Sequence, residues 1–245
     1  MAKMSAVGAA WVAVASLLLV GCTSAPSSKP TTGPGTSTSD PSPTATPTED
    51  AVPAVSPGPE AESRAAITRI VVRPEYLQFI DESGAELQSI SYDDAADAYV
   101  ELFTDLMGAG PDISDTPGGN ESLPTTHYEW DGFVLRDDHE SGDTEWDMNV
   151  SVTFTKAELG PRHIGVATTQ GFQPGDDLGW LATYMNEPYD ENAAFHQVQA
   201  EHGEPIGEQN PDNPYSNSNS VAGQDGFKQE GTVIFAPWNF GIGHV

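Results

Sequence analysis

The chain has 245 residues, of which 37 are Asp or Glu and 9 are Lys or Arg, so its net charge at neutral pH is −28. Nucleic-acid binding requires a basic surface, so this charge balance counts against nucleic acid as a partner. Because the chain contains a single cysteine, it cannot form an intramolecular disulfide.

The N-terminus has the layout of an export signal. Its first residues carry one charge, Lys3, and a mostly apolar run follows from Ala9 to Val20. The run is shorter than the roughly 20 apolar residues that a membrane-spanning helix needs. We therefore expect residues 1–21 to be a signal peptide.

The apolar run ends in Leu19-Val20-Gly21-Cys22, which resembles the lipobox of bacterial lipoproteins. The resemblance implies transfer of a diacylglyceryl group to the Cys22 thiol and cleavage before that residue. Each buried CH₂ contributes about 0.8 kcal/mol, so two or three acyl chains hold a protein firmly at a membrane. We expect a lipid-anchored protein on the outer, extracytoplasmic face of the cell membrane, with the membrane as a partner through this lipid. The alternative is a secreted protein with a free thiol.

A linker separates this anchor from the rest of the chain. Residues 22–65 begin with the lipidated cysteine and are rich in Pro, Ser and Thr, with almost no large apolar side chain. Such a segment cannot bury enough apolar surface to offset its ordering entropy, so we expect it to be disordered, as a stalk or a passive tether. Apolar periodicity begins near Ile67, and residues 66–245 are long enough for a single α+β domain.

Strands dominate the predicted elements of this domain. In chain order we expect strands at 67–73, 76–80 and 86–92, a helix at 93–107, a loop at 112–126, paired strands at 127–136 and 146–155, a strand at 163–168, helices at 178–185 and 190–202, a polar loop at 208–220 and a final strand within 226–238. The order predicts an α+β fold, a mostly antiparallel sheet with helices packed on one face.

The helix at 93–107 is the clearest of these predictions. Ala96, Tyr99 and Phe103 recur at helical spacing and form one apolar face. Asp93 or Asp94 is expected to cap its start, and Gly108 to end it.

Six carboxylates fall within eleven residues between two predicted strands: Asp137, Asp138, Glu140, Asp143, Glu145 and Asp147. Calcium takes clustered oxygen ligands, so this loop is a candidate metal site, and calcium is the one cofactor considered. The spacing departs from the EF-hand pattern, since His139, Ser141 and Met148 stand where acids belong. The alternative is an exposed, solvated hairpin loop.

His196 and His202 are six residues apart on the predicted second short helix and would face different ways, so they do not form a zinc pair.

Among the aromatic residues, Trp180 and Tyr215 are expected to be exposed and to bind a ligand. Trp180 begins a short helix beside a Gly-Asp loop, and Tyr215 lies in the polar loop. Most other aromatic residues fall within strand or helix patterns, which indicates a place in the core.

Three segments of the domain are similar to uncharacterised secreted lipoproteins of Gram-positive bacteria. They are Trp130-Asp131-Gly132-Phe133, the stretch from Gly171 to Asp176, and Ala236-Pro237. The resemblance implies a fold and no activity.

No catalytic residue is assigned, because the chain has no GxSxG, SxxK, HExxH or P-loop motif and its cysteine is used by the anchor. The leading prediction is therefore a non-enzymatic binding domain of an envelope lipoprotein, with a cell-wall or envelope protein partner. The alternatives are a cell-wall-directed hydrolase and a calcium-binding adhesion-type module.

Overall fold

The computed structural model describes residues 59–119, 123–138, 148–190, 193, 195–225 and 231–241. In chain order the elements in these ranges are α1 (Pro59–Ala66), β1 (Arg69–Val72), β2 (Tyr76–Ile80), β3 (Glu86–Ser91), α2 (Ala96–Met107), β4 (Asp112–Thr116), β5 (Thr125–Trp130), β6 (Phe133–Asp138), β7 (Val150–Phe154), β8 (Glu158–Leu159), β9 (Ile164–Thr168), α3 (Leu178–Met185), β10 (His196–His202), β11 (Ser220–Asp225) and β12 (Val233–Trp238). None of these helices has the length and apolar character needed to cross a membrane.

The strands form two sheets. One has the order β3-β2-β1-β9-β8, and the other has the order β10-β11-β12-β7-β6-β5-β4. The described strand pairs are antiparallel apart from β1 and β9, which are parallel. The expected sheet-rich, mostly antiparallel fold is thus confirmed, although the strands divide between two sheets. That the helices pack on one face stays a prediction.

Helix α2 joins the two sheets through a shared apolar core. The ring of Phe103 lies 6.1 Å from that of Phe79 in the first sheet and 3.9 Å from that of Phe133 in the second, measured between centroids. Tyr99 and Phe103 are both fully buried. The helical spacing in the sequence therefore identified the buried face of α2 correctly.

The two ends of α2 differ in how well they were predicted. Gly108 ends the helix with φ +70°, the left-handed conformation expected of a C-terminal glycine. The N-cap, however, is Ala95, which makes no side-chain capping bond. The carboxylate of Asp94 accepts a hydrogen bond from the backbone N–H of Ser91 at 2.9 Å instead, so the expected aspartate cap is wrong.

The segment at 127–136, predicted as one strand, is part of the hairpin β5–β6. The chain reverses at Asp131 and Gly132, and Gly132 has φ +95°. An Asp-Gly pair between strands is typical of such a turn. Strand β4 pairs with β5 in a region predicted to be a loop. All five β4 residues are exposed, so neither face shows the apolar alternation that identifies a strand.

The helix predicted at 190–202 is wrong from residue 196 onward, where the chain forms strand β10. It pairs with β11, whose first residue was expected to end a loop. Val198 and Ala200 are buried, and Glu201 forms an ion pair at 2.8 Å with Arg73, the residue that follows β1. Pairing with β11 overrides the helical propensity of these residues, as tertiary context commonly does.

Helix α1 occupies the last residues assigned to the linker. Arg64 donates to the carboxylate of Glu101 at 3.1 Å, and Arg162 donates to the carbonyl oxygens of Arg64 and Ala65 at 3.0 and 2.9 Å. Contacts with the domain thus begin before Ala66. The predicted signal peptide, Cys22 and the linker up to residue 58 lie outside the described residues.

Candidate functional site

Two large aromatic rings lie exposed on helix α3. Trp180 and Tyr184 are 45% and 63% exposed and stand one helical turn apart. Their ring centroids are 5.8 Å apart and their planes are tilted by 30°. Residues four apart face the same side of a helix, so the two rings form one continuous surface, which we call the aromatic pair.

The aromatic pair rests on a packed floor. Phe172 is fully buried and stacks on Trp180, with centroids 6.4 Å apart and planes 9° apart. Beneath α3, Gly223 of β11 has no room for a side chain, because a Cβ there would lie 2.8 Å from Leu178 Cδ1 and 3.1 Å from Phe172 Cε1. Such close contact holds α3 at a defined height above the sheet.

The loop that leads into α3 is also fixed. The Thr232 hydroxyl accepts from the N–H of Gly175 at 2.9 Å and donates to the carbonyl of Asp176 at 2.7 Å. The Asp177 carboxylate then caps the helix by accepting from the N–H of Gly179 at 2.8 Å. At the other end, Asn186 adopts the left-handed conformation with φ +58°. The sequence predicted this capped helix and its exposed tryptophan, but not the contribution of Tyr184.

Tyr215, the other predicted ligand residue, is half-buried rather than exposed. Its ring packs against Phe240 with centroids 5.0 Å apart and planes tilted by 36°, and its hydroxyl donates to the carboxylate of Glu187 at 3.3 Å. Burial raises the pKa of Glu187 and also that of Tyr215. The phenol ring of Tyr215 therefore packs against other residues of the domain. The polar residues around it in the sequence gave no indication of this packing.

A cleft of about 750 Å³ lies elsewhere in the domain. We call it the charged cleft, and its lining residues are Met107, Ala109, Gly110, Asp112, Glu129, Trp130, Asp131, Lys156, Glu158, Gly160, Pro161 and His163. They come from segments far apart in the sequence, and acidic groups outnumber basic ones. Sequence reasoning missed this cleft, since nothing in the spacing of these residues relates them.

Two exposed side-chain pairs line the charged cleft. Lys156 Nζ lies 2.6 Å from Asp131 Oδ1, and His163 Nδ1 lies 2.9 Å from Glu158 Oε2. The His163 side chain is 77% exposed. Trp130 is nearly buried and donates its indole N–H to the carbonyl of Ala109 at 2.9 Å, so its ring forms part of the wall.

Two further features of the charged cleft are unfavourable to stability. Asp112 and Glu129 are direct partners across β4 and β5, and like charges opposed in this way repel. His163 has φ +54°, a conformation that is uncommon for residues other than glycine. Strained or repelling groups are found at functional sites more often than elsewhere, so the cleft is a second candidate.

The predicted calcium loop is only partly described. Asp138 accepts from the Thr125 hydroxyl at 2.7 Å and pairs with Arg136 at 2.8 Å. Asp137 also lies on β6, at its pairing position opposite Val150. Glu140, Asp143, Glu145 and Asp147 lie outside the described residues. Within the described ranges no three His, Cys, Asp or Glu side chains are placed to hold a metal, and the calcium site stays a prediction.

The two histidines considered for zinc lie on strand β10 rather than on a helix. His196 Nδ1 is 2.7 Å from the carboxylate of Asp225, whereas His202 is exposed and contacts the carbonyl of Gly203 at 3.1 Å. The hydrogen bond to Asp225 raises the pKa of His196. The two histidines thus have different contacts in the structure.

No family model, curated protein or solved structure matches this chain. Function must therefore be argued from the geometry of these two regions.

Proposed function

We propose that the chain is a lipid-anchored envelope lipoprotein whose domain is a non-enzymatic binding module, and that the aromatic pair binds a neutral saccharide of the cell wall. The observation that carries the proposal is the exposed, continuous ring surface of Trp180 and Tyr184. The lipobox and the linker, which place the domain beside the wall, support the choice of ligand.

The chemistry of a sugar ring suits this surface. One face of a pyranose presents C–H groups, which gain by leaving water against an aromatic ring, while its hydroxyls remain at the rim. The indole N–H and the phenol O–H are available there to pair with these hydroxyls. Rigid aromatic side chains also lose little conformational entropy on binding.

Charge decides which saccharides fit. The chain has a net charge of −28, and Asp176 and Asp177 lie immediately before α3. An anionic polymer would be repelled by such a surface, so a neutral saccharide is the expected ligand. Binding of an envelope protein, the other expected partner, is the alternative result that the experiment can give.

Calorimetric titration of the full-length protein with soluble neutral wall saccharides tests the proposal. Trp180→Ala should weaken binding by about tenfold or more, because an aromatic anchor at the centre of a contact commonly contributes over 1.4 kcal/mol. Trp180→Phe should recover part of the affinity. Ile113→Ala, which removes an apolar side chain that is 62% exposed on β4, is the matched control and should bind normally.

Equal binding by wild type and Trp180→Ala would overturn the assignment of the aromatic pair. If no saccharide binds, but crosslinking from position 184 captures an envelope protein in intact cells, the proposed ligand is wrong and the protein partner replaces it.

A second candidate function is hydrolysis of wall material in the charged cleft. It is favoured by one observation, that the cleft brings Glu129, Glu158 and His163 together from separate segments. Paired carboxylates are what glycoside hydrolysis uses. Release of reducing ends that is lost in Glu129→Gln and retained in Trp180→Ala would support this candidate over the first.

The anchor is tested separately from the ligand. Cys22→Ser removes the thiol that takes the lipid, so the protein should move from the membrane fraction to the medium. An unchanged membrane fraction would contradict the lipoprotein assignment and leave the saccharide test unaffected.

A further inference from the structure

The segment that follows α3, residues 186–190, is held along strand β10. The carboxylate of Glu187 accepts from the backbone N–H of Gln199 at 3.3 Å. The ring of Tyr189 lies 4.8 Å from the imidazole of His196, and the carbonyl oxygen of Asp190 contacts Nε2 of the same imidazole. His196 therefore makes two of the contacts that hold this segment.

The imidazole of His196 faces an acceptor at each nitrogen. Nδ1 lies 2.7 Å from the carboxylate of Asp225, and Nε2 faces the carbonyl oxygen of Asp190. A neutral imidazole has one N–H, whereas the protonated form has two. Only protonated His196 donates to both groups; its side chain is 12% exposed, whereas Asp190 is exposed to water.

Tyr189 extends this contact to α3. A Cβ placed on Gly179 would lie 3.2 Å from Tyr189 Cε1, so the tyrosine ring lies against the first turn of the helix. Gly179 directly precedes Trp180. The ring of Tyr189 is thus packed between His196 and the turn that carries the tryptophan.

We propose that His196 is a protonation-controlled latch: when protonated, it holds segment 186–190 against β10 and braces the first turn of α3, and when neutral, it releases Asp190 and loosens the aromatic pair. The latch itself depends on the contacts of His196 with Asp225, Asp190 and Tyr189, whereas its effect on saccharide binding rests on the proposed function.

The direction of the pH dependence follows from the groups that face His196. They are the carboxylate of Asp225 on β11, with Asp190 and Tyr189 in the segment, while Glu187 binds β10 farther along at Gln199. The hydrogen bond to Asp225 is the main cause that raises the pKa of His196 above its ordinary value of about 6.5. The latch is therefore fully closed below about pH 6.5 and opens as the pH rises through the raised pKa.

Neutral His196 can keep only one of its two hydrogen bonds. Its remaining proton stays on Nδ1, where the carboxylate of Asp225 makes the stronger, charge-assisted bond. The lone pair of Nε2 then faces the lone pairs of the Asp190 carbonyl oxygen, and the two repel. The contact between Nε2 and the Asp190 carbonyl is therefore the one that is lost, while the same carbonyl still accepts from the N–H of Ala193 at 3.0 Å.

Hydrogen exchange of the full-length protein, followed by mass spectrometry between pH 5.5 and 8.5, tests the latch. After correction for intrinsic exchange rates, peptides that cover residues 186–190 should exchange several-fold faster at the high end. His196→Gln should exchange fast at every pH. Persistence of the pH dependence in His196→Gln, or its absence in wild type, would overturn the latch.

The chain offers a matched control in His163. It also pairs with a carboxylate, Glu158, at 2.9 Å, but its side chain is 77% exposed and lies in the charged cleft. His163→Gln should therefore keep the wild-type exchange profile of segment 186–190. Loss of the profile in this variant as well would show a general charge effect and overturn the assignment to His196.

Asp225→Asn separates a titrating latch from a merely structural contact. Without the carboxylate, protonated His196 loses its main stabilising partner, so the midpoint of the exchange profile should move to lower pH. The histidine C2–H proton signal that disappears in His196→Gln reports the same midpoint in wild type by nuclear magnetic resonance. An unchanged midpoint in Asp225→Asn would contradict the proposal.

Saccharide affinity, measured at both ends of the same pH range, tests the link to the aromatic pair. Binding should be several-fold tighter at pH 5.5 in wild type and independent of pH in His196→Gln. If exchange follows His196 and the saccharide binds equally at both pH values, the link is overturned. If no saccharide binds at any pH, the proposed function fails while the exchange result still decides the latch.

Discussion

The aromatic pair and the charged cleft are built in opposite ways. Trp180 and Tyr184 share one face of one helix, and their spacing of four residues alone makes them neighbours. In the cleft, Asp112, Glu129 and His163 come from β4, β5 and the turn between β8 and β9. The spacing of a site within one element can be read from the sequence, although only Trp180 of this pair was predicted to be exposed, whereas a site between elements requires the fold.

The two regions also differ in what supports them. The aromatic pair lies on Phe172, which is fully buried, so it depends on packing. The cleft carries the exposed ion pair of Lys156 and Asp131, and exposed pairs contribute little to stability. We therefore expect substitutions beneath the aromatic pair to lower the free energy of unfolding strongly. Substitutions of the charged residues in the cleft should change it little.

The largest expected effect is that of Phe172→Ala. Removing a fully buried aromatic ring should lower the free energy of unfolding by about 3–5 kcal/mol, because a cavity replaces its contacts. Urea denaturation measures the loss. Phe172→Leu fills most of the space and should cost clearly less. A loss below about 1 kcal/mol in the alanine variant would mean that the aromatic pair does not depend on this floor.

Next is Gly160→Ala, in the charged cleft. Gly160 has φ +62°, and a Cβ there would lie 2.7 Å from the carbonyl oxygen of Leu106. Both strain and overlap should destabilise the fold by about 1–3 kcal/mol in thermal unfolding. Gly110, which lines the same cleft with nothing within 4 Å of its Cβ position, is the control. Equal effects of the two alanine substitutions would contradict the close packing of Gly160.

A smaller effect is expected for Asp177→Ala, which removes the N-cap of α3. Loss of the bond to the N–H of Gly179 should cost about 1 kcal/mol, again measured by urea denaturation. Asn is as good an N-cap as Asp, so Asp177→Asn should be close to wild type. If both variants lose the same stability, the charge of Asp177 matters rather than its capping bond.

The smallest effect is expected for Lys156→Ala. Its partner Asp131 is 83% exposed, so breaking the pair should change the free energy of unfolding by no more than about 0.5 kcal/mol. A double-mutant cycle with Asp131→Ala measures the coupling between them. A coupling energy well above 1 kcal/mol would contradict the expectation that the charges of the cleft contribute little to the free energy of unfolding.

Local patterns predicted the elements that they could determine. The apolar spacing of Tyr99 and Phe103 located α2 and its buried face, and the turn between β2 and β3 was recognised from its polar residues. The helical prediction for residues 196–202 failed because pairing with β11 is a long-range contact. The exposed strand β4 was missed because it buries neither face.

The same distinction applies to the candidate sites. The exposure of Trp180 follows from its place at the start of a short helix, and the sequence was sufficient to indicate it. The half-buried state of Tyr215 depends on Phe240 and Glu187, which are distant in the chain. The contact of His196 with Asp225 likewise requires the register of β10 and β11.

By itself, the sequence determined the charge balance, the resemblance of the N-terminus to a lipoprotein, and the helices whose apolar spacing repeats along one face. These depend on composition or on residues within a few positions of one another. The tertiary structure alone decided the division into two sheets, the charged cleft and the placement of His196 between two acceptors. Each of these requires strands that are far apart in sequence to meet, and the register at which they pair is set by packing across the whole domain.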